Sequence, residues 1–379
     1  MVKRTSFILY FLPFLLDFMM GGIGIACPLL AIMLGASSFS LGILGFSPGI
    51  AYICLCFVFG KKAESWEKRN LLAAGVALYV VSSLIFIFPS KIYQLYLAMI
   101  LIGIGAAMFW PTVEAWIAEI EDKRVLAERM GLFNVSWSTG LTLGPLIGGM
   151  LFGISLKLPF VFFFFVGLFS LFFVFKIEGE SKKEKTEKLT FSSSNRSSHH
   201  TIVSRIANLT LWFSVGIIRY IFPKLATNLG ISSFILGLLM FSLFASQTFT
   251  FYGLGKFSLW QYRTFPLLLF QVISFFGLLI IFFTDYPLLL FIAFVLIGAG
   301  VGMTHSSSLF HSVNVRFNKG SRAAIHEIFL ATGGLLGPLI GGVVAQEISL
   351  RAPYLLACFV IGGGMISEVL ISKFHSSKI

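Results

Sequence analysis

The sequence predicts an all-α integral membrane fold of twelve transmembrane helices, arranged as two parallel bundles of six. Three observations lead to this fold class: the apolar composition, a regular series of long apolar runs, and an internal repeat. Of the 379 residues, 57% are hydrophobic and only 12% are charged, whereas about 25% charged is usual for soluble domains. A soluble fold is therefore excluded, and lipid is the expected solvent.

Twelve apolar runs are long enough to cross a bilayer, which requires roughly 20 residues per helix. A charged, serine-rich stretch divides them into two groups of six, and it has the composition of a flexible linker. The predicted parts are an N-terminal bundle (1–177), the linker (178–205) and a C-terminal bundle (206–379). The runs lie near 6–34, 39–60, 71–89, 92–118, 128–154, 158–177, 206–229, 234–256, 264–284, 287–313, 321–346 and 352–374.

The basic residues predict the orientation of these helices. If the connections are assigned alternately to two sides, 23 of the 28 Lys and Arg residues fall on the side of the two termini. Cytoplasmic loops carry an excess of Lys and Arg, so both termini are expected in the cytoplasm of a multi-pass cell-membrane protein. The net charge of +12 is thus a topology signal, and binding to nucleic acid is not predicted.

An internal repeat relates the two halves of the chain. With a shift of 195 residues, 28–47 matches 223–242 at 13 of 20 positions, including aligned Gly, Pro and Ser. With a shift of 193, the segment GPLIGG at 144–149 recurs at 337–342. The shift spans an even number of crossings, so the halves are parallel copies with a cavity between them. Such duplication suits alternating access, in which two bundles rock about a central site.

This organisation resembles the major facilitator superfamily, and three motifs support the resemblance. The loop from Gly60 to Arg69 is similar to the family's G-x-L-a-D-r-x-G-r-k signature, with Glu64 where Asp is usual and Lys68-Arg69 at its end. The segment from Gly103 to Ala107 resembles part of a fourth-helix motif, whose arginine is replaced by Met99. The fifth and eleventh helices carry the g-x-x-x-G-P-x-x-G-G pattern of the antiporter branches, at Gly140, Gly144, Pro145, Gly148 and Gly149 and at Gly333, Gly337, Pro338, Gly341 and Gly342.

Each motif has a physical interpretation. Gly60, Glu64, Lys68 and Arg69 are expected to form a cytoplasmic gate, a charge cluster that latches one state; a simple hydrophilic turn is the alternative. In the glycine motifs, small residues permit close helix approach and proline bends the helix. A packing and gating role is therefore predicted for them.

Ionisable groups inside the membrane are functional candidates by default. Asp17 lies halfway along the first predicted helix and Arg219 midway along the seventh. The resemblance places both helices at the cavity, so the two side chains are predicted to face one another. Asp17 is expected to bind a coupling proton or the substrate, and a static Asp17–Arg219 pair is the alternative. Arg219 can instead hold an anionic substrate.

Four further residues are cavity candidates. Glu114 in the fourth helix can bind a cation or proton, or reach the membrane interface instead. His305 in the tenth helix can titrate, and Trp110 and Trp137 can stack on a flat or cationic ligand, although core packing is an equal alternative. His326-Glu327 is expected to open the eleventh helix in a helix-end role.

The predicted function is secondary active transport of a small solute by alternating access, coupled to protons and leaning toward efflux of drug-like or amphipathic compounds. Uptake or exchange of an organic anion or metabolite, bound by Arg219, is the alternative. A membrane nutrient sensor and an integral-membrane transferase are more distant alternatives for the function. No enzymatic activity, cofactor or metal site is predicted. The sequence lacks a phosphate-binding glycine loop, so ATP-driven export is not expected. The expected partners are a small-molecule substrate, a proton or other ion and the bilayer, with the protein a monomer.

Overall fold

In a computed structural model, the protein is all-helical over the residues described, which are 2–62, 66–120, 126–177, 199–313 and 319–376. The helices in order are α1 (Val2–Met33), α2 (Ser38–Lys62), α3 (Lys68–Ile87), α4 (Ile92–Ile120), α5 (Leu126–Ile154), α6 (Leu158–Phe175), α7 (His199–Tyr220), α8 (Phe222–Asn228), α9 (Ser233–Lys256), α10 (Thr264–Phe283), α11 (Pro287–Val313), α12 (Lys319–Glu347) and α13 (Ala352–Ser376).

Twelve helices in the described part of the chain are long and apolar enough to cross a membrane, as the sequence predicted. The thirteenth, α8, has seven residues and follows α7 after a break at Ile221. Pro223 stands in the first turn of α8, where its missing N–H costs nothing. We call the side that holds both chain termini the terminal face, and the other side the distal face.

The second bundle begins earlier than the sequence predicted. Helix α7 starts at His199, whereas the linker was expected to extend to residue 205. Residues 178–198 of the predicted linker lie outside the described residues. The sequence underestimates α7 because its first two turns are polar, yet Thr201, Ser204 and Arg205 are all buried inside the C-terminal bundle.

The repeat is visible in the backbone as well as in the sequence. Gly35 after α1 and Gly230 after α8, which are repeat mates, both have positive φ, at 82° and 70°. In each turn the next residue donates its N–H five residues back: Ala36 to the carbonyl of Ala31, and Ile231 to that of Ala226, both at 2.9 Å. This is the glycine-dependent helix ending of the Schellman motif. The two halves therefore repeat their distal turns.

Candidate functional site: a charged cavity between two bundles

The two bundles meet along two seams in their distal halves. In the first seam α2 packs against α12, and a Cβ on Gly42 would lie 2.6 Å from the carbonyl oxygen of Pro338 and 3.1 Å from Cα of Gly342. In the second seam α5 packs against α9, and a Cβ on Gly149 would lie 3.0 Å from Cα of Gly237. Only glycine permits backbones to approach so closely. The bundles are therefore closed against each other at the distal face.

The internal repeat relates these two seams. Gly42 and Gly237 are mates at a shift of 195, while Gly149 and Gly342 are mates at a shift of 193. In the first seam Gly42, from the repeated segment 28–47, meets Gly342, the last glycine of the second GPLIGG segment. In the second seam Gly237, from the segment 223–242, meets Gly149, the last glycine of the first GPLIGG segment. The structure explains why the repeat preserves glycine and proline rather than Leu and Ile alone.

The remaining motif glycines pack within their own bundles. A Cβ on Gly140 or Gly144 would overlap backbone atoms of α1, and one on Gly148 would lie 2.6 Å from Cα of Gly22. In the second half, Gly333 and Gly337 press against the backbone of α7, and Gly341 against the side chain of Ile217. Pro145 and Pro338 both lie inside their helices. The motif therefore has an inner face toward α1 or α7 and an outer face at the seams.

Two hydrogen bonds reinforce the distal closure. Lys224 Nζ donates to the carbonyl of Ala36 at 2.9 Å, and the N–H of Ser38 donates to Gln346 Oε1 at 3.1 Å. Both join one half of the chain to the other. Partial burial lowers the pKa of the Lys224 ammonium group. The closed distal face thus holds a cation that regains water when the bundles separate there.

Charged side chains of both bundles face the space between them, which we call the central cavity. Asp17 of α1 and Arg219 of α7 are both partly exposed, and their charges interact across this space. They form no ion pair within the described residues, and Arg219 Nη2 has no hydrogen-bond partner there. The structure therefore shows no static salt bridge between Asp17 and Arg219, and their shared role in a cavity stays a prediction.

Arg219 lies in the last turn of α7, beside the break that precedes α8, and not at the middle of a helix as the sequence suggested. Its guanidinium group lies over α1, where a Cβ on Gly24 would be 3.0 Å from Nη2. Gly24 and Arg219 are repeat mates at a shift of 195. These two repeat-related positions lie next to each other at the interface between the halves. Glycine at position 24 leaves room for the side chain of Arg219.

A second pair of charges comes from Glu114 of α4 and Glu327 of α12. Both are partly exposed, and their charges interact with each other and with Tyr52 of α2. Glu327 lies more than two turns inside α12, which begins at Lys319, so the helix-end role expected for His326-Glu327 is wrong. The error arose because the apolar run begins later than the helix does.

The aromatic candidates lie at two different places. Trp110 packs edge-to-face against Phe109 and Phe133 within the N-terminal bundle. Trp137 spans the bundles: its ring centre is 6.3 Å from Phe251 and 6.0 Å from His305. Its indole N–H donates to Asn134 Oδ1 at 3.0 Å. Trp137 therefore lies at the interface between the bundles, against His305, which is buried.

The predicted gate is described only in part. Gly60 lies in the last turn of α2, and Glu64 lies outside the described residues. Lys68 is buried at the start of α3. Arg69 pairs with Glu67 at 3.0 Å, so a carboxylate at a position that departs from the family signature provides its partner. This contact is local to the loop and the start of α3.

Sequence reasoning missed one group near Asp17, and it gave two others, His326 and Glu327, the wrong role. Tyr79 of α3 interacts electrostatically with Asp17. His326 is fully buried, with its Nδ1 2.8 Å from Ser308 Oγ, and Glu327 follows it. A polar residue inside an apolar helix was the available signal for His326 and Glu327, whereas nothing in the α3 sequence distinguishes Tyr79 from a core aromatic.

The fold and this site define a membrane transporter of two repeated six-helix bundles around a central cavity. The family model of the Major Facilitator Superfamily matches residues 9–315, and the chain belongs to that superfamily. It is therefore a transporter and not an enzyme.

Relatives and solved structures agree. The chain is 25% identical to the quinolone resistance protein NorA of Staphylococcus aureus (strain COL), over 100% of this chain and 99% of NorA. It is 28% identical to an uncharacterised MFS-type transporter of Methanocaldococcus jannaschii, over 53% of this chain and 55% of that one.

Two solved structures share the fold. A bacterial homologue of the human lysosomal transporter Spinster, in an inward-facing and occupied conformation, has a TM-score of 0.78 at 13% identity, covering 98% of this chain and 96% of that one. The nucleoside transporter NupG has a TM-score of 0.70 at 12% identity, covering 97% and 99%.

Proposed function

We propose that this transporter exports drug-like amphipathic compounds in exchange for protons, and that Asp17 binds the coupling proton. The observation that carries the proposal is the full-length similarity to a quinolone resistance protein, combined with a membrane-embedded carboxyl group in the cavity. The glycine motif of α5, which resembles that of antiporter branches, supports the same direction of transport.

The cavity has the groups that such an exchange requires. Asp17 is partly exposed and lies within range of the Arg219 charge, so its carboxyl group can release a proton to one side and take one from the other. The ring of Trp137, which contacts Phe251 and His305 of the other bundle, offers a flat apolar surface for an aromatic compound.

Exchange or uptake of an organic anion is the second candidate, and one observation favours it. Arg219 Nη2 is buried and has no hydrogen-bond partner among the described residues. A guanidinium group binds carboxylate or phosphate through two parallel hydrogen bonds. An anionic solute at Arg219 would lie against Gly24, where α1 leaves room.

The distribution of Lys and Arg supports a cell-membrane location with the terminal face in the cytoplasm. On this orientation the cavity is closed toward the outside. The six-plus-six chain forms a complete pathway between its own bundles, which supports a monomeric transporter.

The test is transport by purified protein in liposomes that contain a pH-sensitive dye. We would add a fluorescent quinolone, a permanently cationic dye and a dicarboxylate in separate experiments, and compare wild type with Asp17→Asn and Arg219→Gln. Glu347→Gln is the matched control, because Glu347 is exposed at the distal end of α12. Thermal unfolding of each variant would show that it is folded.

Quinolone-dependent proton movement that is lost in Asp17→Asn but kept in Glu347→Gln is the expected result. Quinolone flux without proton movement would refute coupling through Asp17. Dicarboxylate flux that is lost only in Arg219→Gln would establish the anion carrier instead.

A further inference from the structure

Three polar side chains on α11 and α12 form a cluster that ends at the cavity. His326 is fully buried, and its Nδ1 lies 2.8 Å from Ser308 Oγ. On the other side of the ring, His326 Nε2 lies 3.7 Å from Glu327 Oε1, and the Glu327 side chain is 42% exposed. The cluster therefore has a buried end at Ser308 and an exposed end at Glu327.

The buried imidazole has one nitrogen without a partner. Within the described part of the chain, His326 Nε2 makes no hydrogen bond, although it is directed at the Glu327 carboxyl group. A buried polar atom without a partner is unfavourable, and a small approach of Glu327 would satisfy it. The geometry is therefore that of a histidine–carboxyl pair that is ready to share a proton.

Ser308 allows the pair to exist in two protonation states. When the pair is unprotonated, the Ser308 hydroxyl donates to Nδ1 and the Nε2–H group points at the Glu327 carboxylate. When one proton is added, Nδ1–H donates to Ser308 Oγ and Nε2–H donates to the carboxylate. One N–H bond forms at Nδ1, the Ser308 hydroxyl changes from hydrogen-bond donor to acceptor, and the net charge of the pair rises by one. The proton belongs to the pair rather than to either residue.

The other half of the repeat shows that the fold does not require this cluster. At a shift of 195 the mate of Ser308 is Val113, and at a shift of 193 the mates of His326 and Glu327 are Phe133 and Asn134. The N-terminal bundle forms the same six helices without a titratable group at any of these positions. A buried histidine and carboxyl pair in only one copy therefore indicates a function beyond packing.

The described charged and titratable groups around the cluster come from four elements. Arg205 of α7 and His305 of α11 face His326, with the His305 ring 4.8 Å away. Glu114 of α4 and both Tyr52 and Cys56 of α2 lie within electrostatic range of Glu327. On α13, the buried Glu368 is instead turned to Gln271, whose amide donates to it at 2.8 Å.

Glu327 and Glu114 belong to different bundles, and their like charges oppose any closure of the terminal face that brings α4 and α12 together. One added proton makes the His326–Glu327 pair neutral overall, which weakens that repulsion. We infer that Ser308, His326 and Glu327 form a second proton-binding site, whose loading permits the cavity to close at the terminal face. This inference rests on the proton-coupled exchange proposed above, and it assigns the closing step to a site separate from Asp17.

The test measures conformation directly, so that it does not depend on knowing the solute. Spin labels at Val58 of α2 and Leu259 between α9 and α10, both exposed and near the terminal face, would report the distance between the bundles. The four native cysteines would be replaced first. The distance would be followed against pH in wild type, Glu327→Gln and the control Glu347→Gln.

We expect the wild-type distance to shorten as the pH falls, and the control to follow it. Glu327→Gln, which is permanently neutral, should show the short distance at every pH. A wild-type distance that does not change with pH, or a Glu327→Gln variant that follows wild type, would overturn the inference. If the distances behave as expected but no solute moves protons in liposomes, then the proposed function fails and the proton site stands.

Ser308→Val tests the positioning role with the residue that the other repeat uses. It should retain both the short and the long distance but shift the pH at which they interconvert, because Nδ1 loses its partner. A purely structural serine would leave that midpoint unchanged, and this outcome would contradict the role given to Ser308. His326→Phe, the other repeat substitution, should remove the pH response altogether.

Discussion

At the scale of single residues, the cavity depends on an unequal pair of repeat mates. Arg219 lies beside its mate Gly24, where an added Cβ would be 3.0 Å from Nη2 and a larger side chain would compete with the guanidinium group for space. Immediately after a duplication, the two repeat-related positions carry the same residue. Two arginines at positions 24 and 219 would repel each other. The asymmetry of the cavity charge is therefore a product of divergence at mated positions.

Gly24→Val tests this interpretation. The added side chain would enter the space of the Arg219 guanidinium group, since even a Cβ lies 3.0 Å from Nη2. We expect the transport rate to fall by about tenfold or more, because overpacking of this kind costs about 1–3 kcal/mol and displaces a cavity charge. The measurement is solute flux in liposomes beside a thermal unfolding curve.

Gly334→Val is the matched control, because no atom lies within 4 Å of a Cβ at that position. Equal losses of flux in the two variants would show that any valine in these helices is harmful. They would remove the specific role given to Gly24.

At the scale of helices, the two seams hold the distal face closed. They bring backbone against backbone in α2 with α12 and in α5 with α9. Packing of this kind needs small residues at each crossing, since lipid provides no hydrophobic force between helices. The hydrogen bonds from Lys224 to the carbonyl of Ala36 and from the N–H of Ser38 to Gln346 join the two halves, and both would break when this face opens.

Gly42→Ala should weaken this closure. Its Cβ would lie 2.6 Å from the backbone oxygen of Pro338, which cannot move aside as a side chain can. We expect the distance between spin labels at Lys91 and Tyr286, exposed residues of the two bundles at the distal face, to lengthen. Gly363→Ala, with open space around its Cβ, should leave the distance unchanged, and no lengthening in Gly42→Ala would contradict the seam interpretation.

At the scale of the whole molecule, the chain consists of two bundles that contact each other through the seams and the cavity. The extensive contacts of α1 with α5 and of α7 with α12 hold each bundle together internally. Alternating access needs bundles that move as units, and these contacts within each bundle are consistent with that requirement.

A chain divided between residues 187 and 188 should therefore still assemble. We expect the two co-expressed fragments to purify together and to transport the solute. The cut leaves all four helices of the two seams intact, and each seam joins one fragment to the other. The measurement is co-purification through a tag on one fragment, followed by flux in liposomes. A seam variant, Gly149→Leu, should separate the fragments, and fragments that do not associate even with an intact seam would refute the assembly.

Much of the fold could be predicted because the bilayer imposes it. A transmembrane segment must satisfy its own backbone hydrogen bonds and be apolar over its length. The twelve apolar runs and their repeat can therefore be identified from the sequence. The predicted helix boundaries were wrong where a polar segment is nevertheless helical. Helix α7 begins at His199 because its polar first turns are buried among other helices, and hydropathy cannot report burial against protein.

The sequence alone determined the membrane class, the number of spans, the duplication, the superfamily resemblance and the presence of Asp17 and Arg219 inside the membrane. Only the tertiary structure decided that Arg219 lies over Gly24, that the motif glycines divide between bundle cores and seams, and that His326 lies between Ser308 and Glu327. The reason is physical: hydropathy and spacing depend on one helix at a time, whereas these contacts join helices more than a hundred residues apart or fix which face of a helix meets its neighbour.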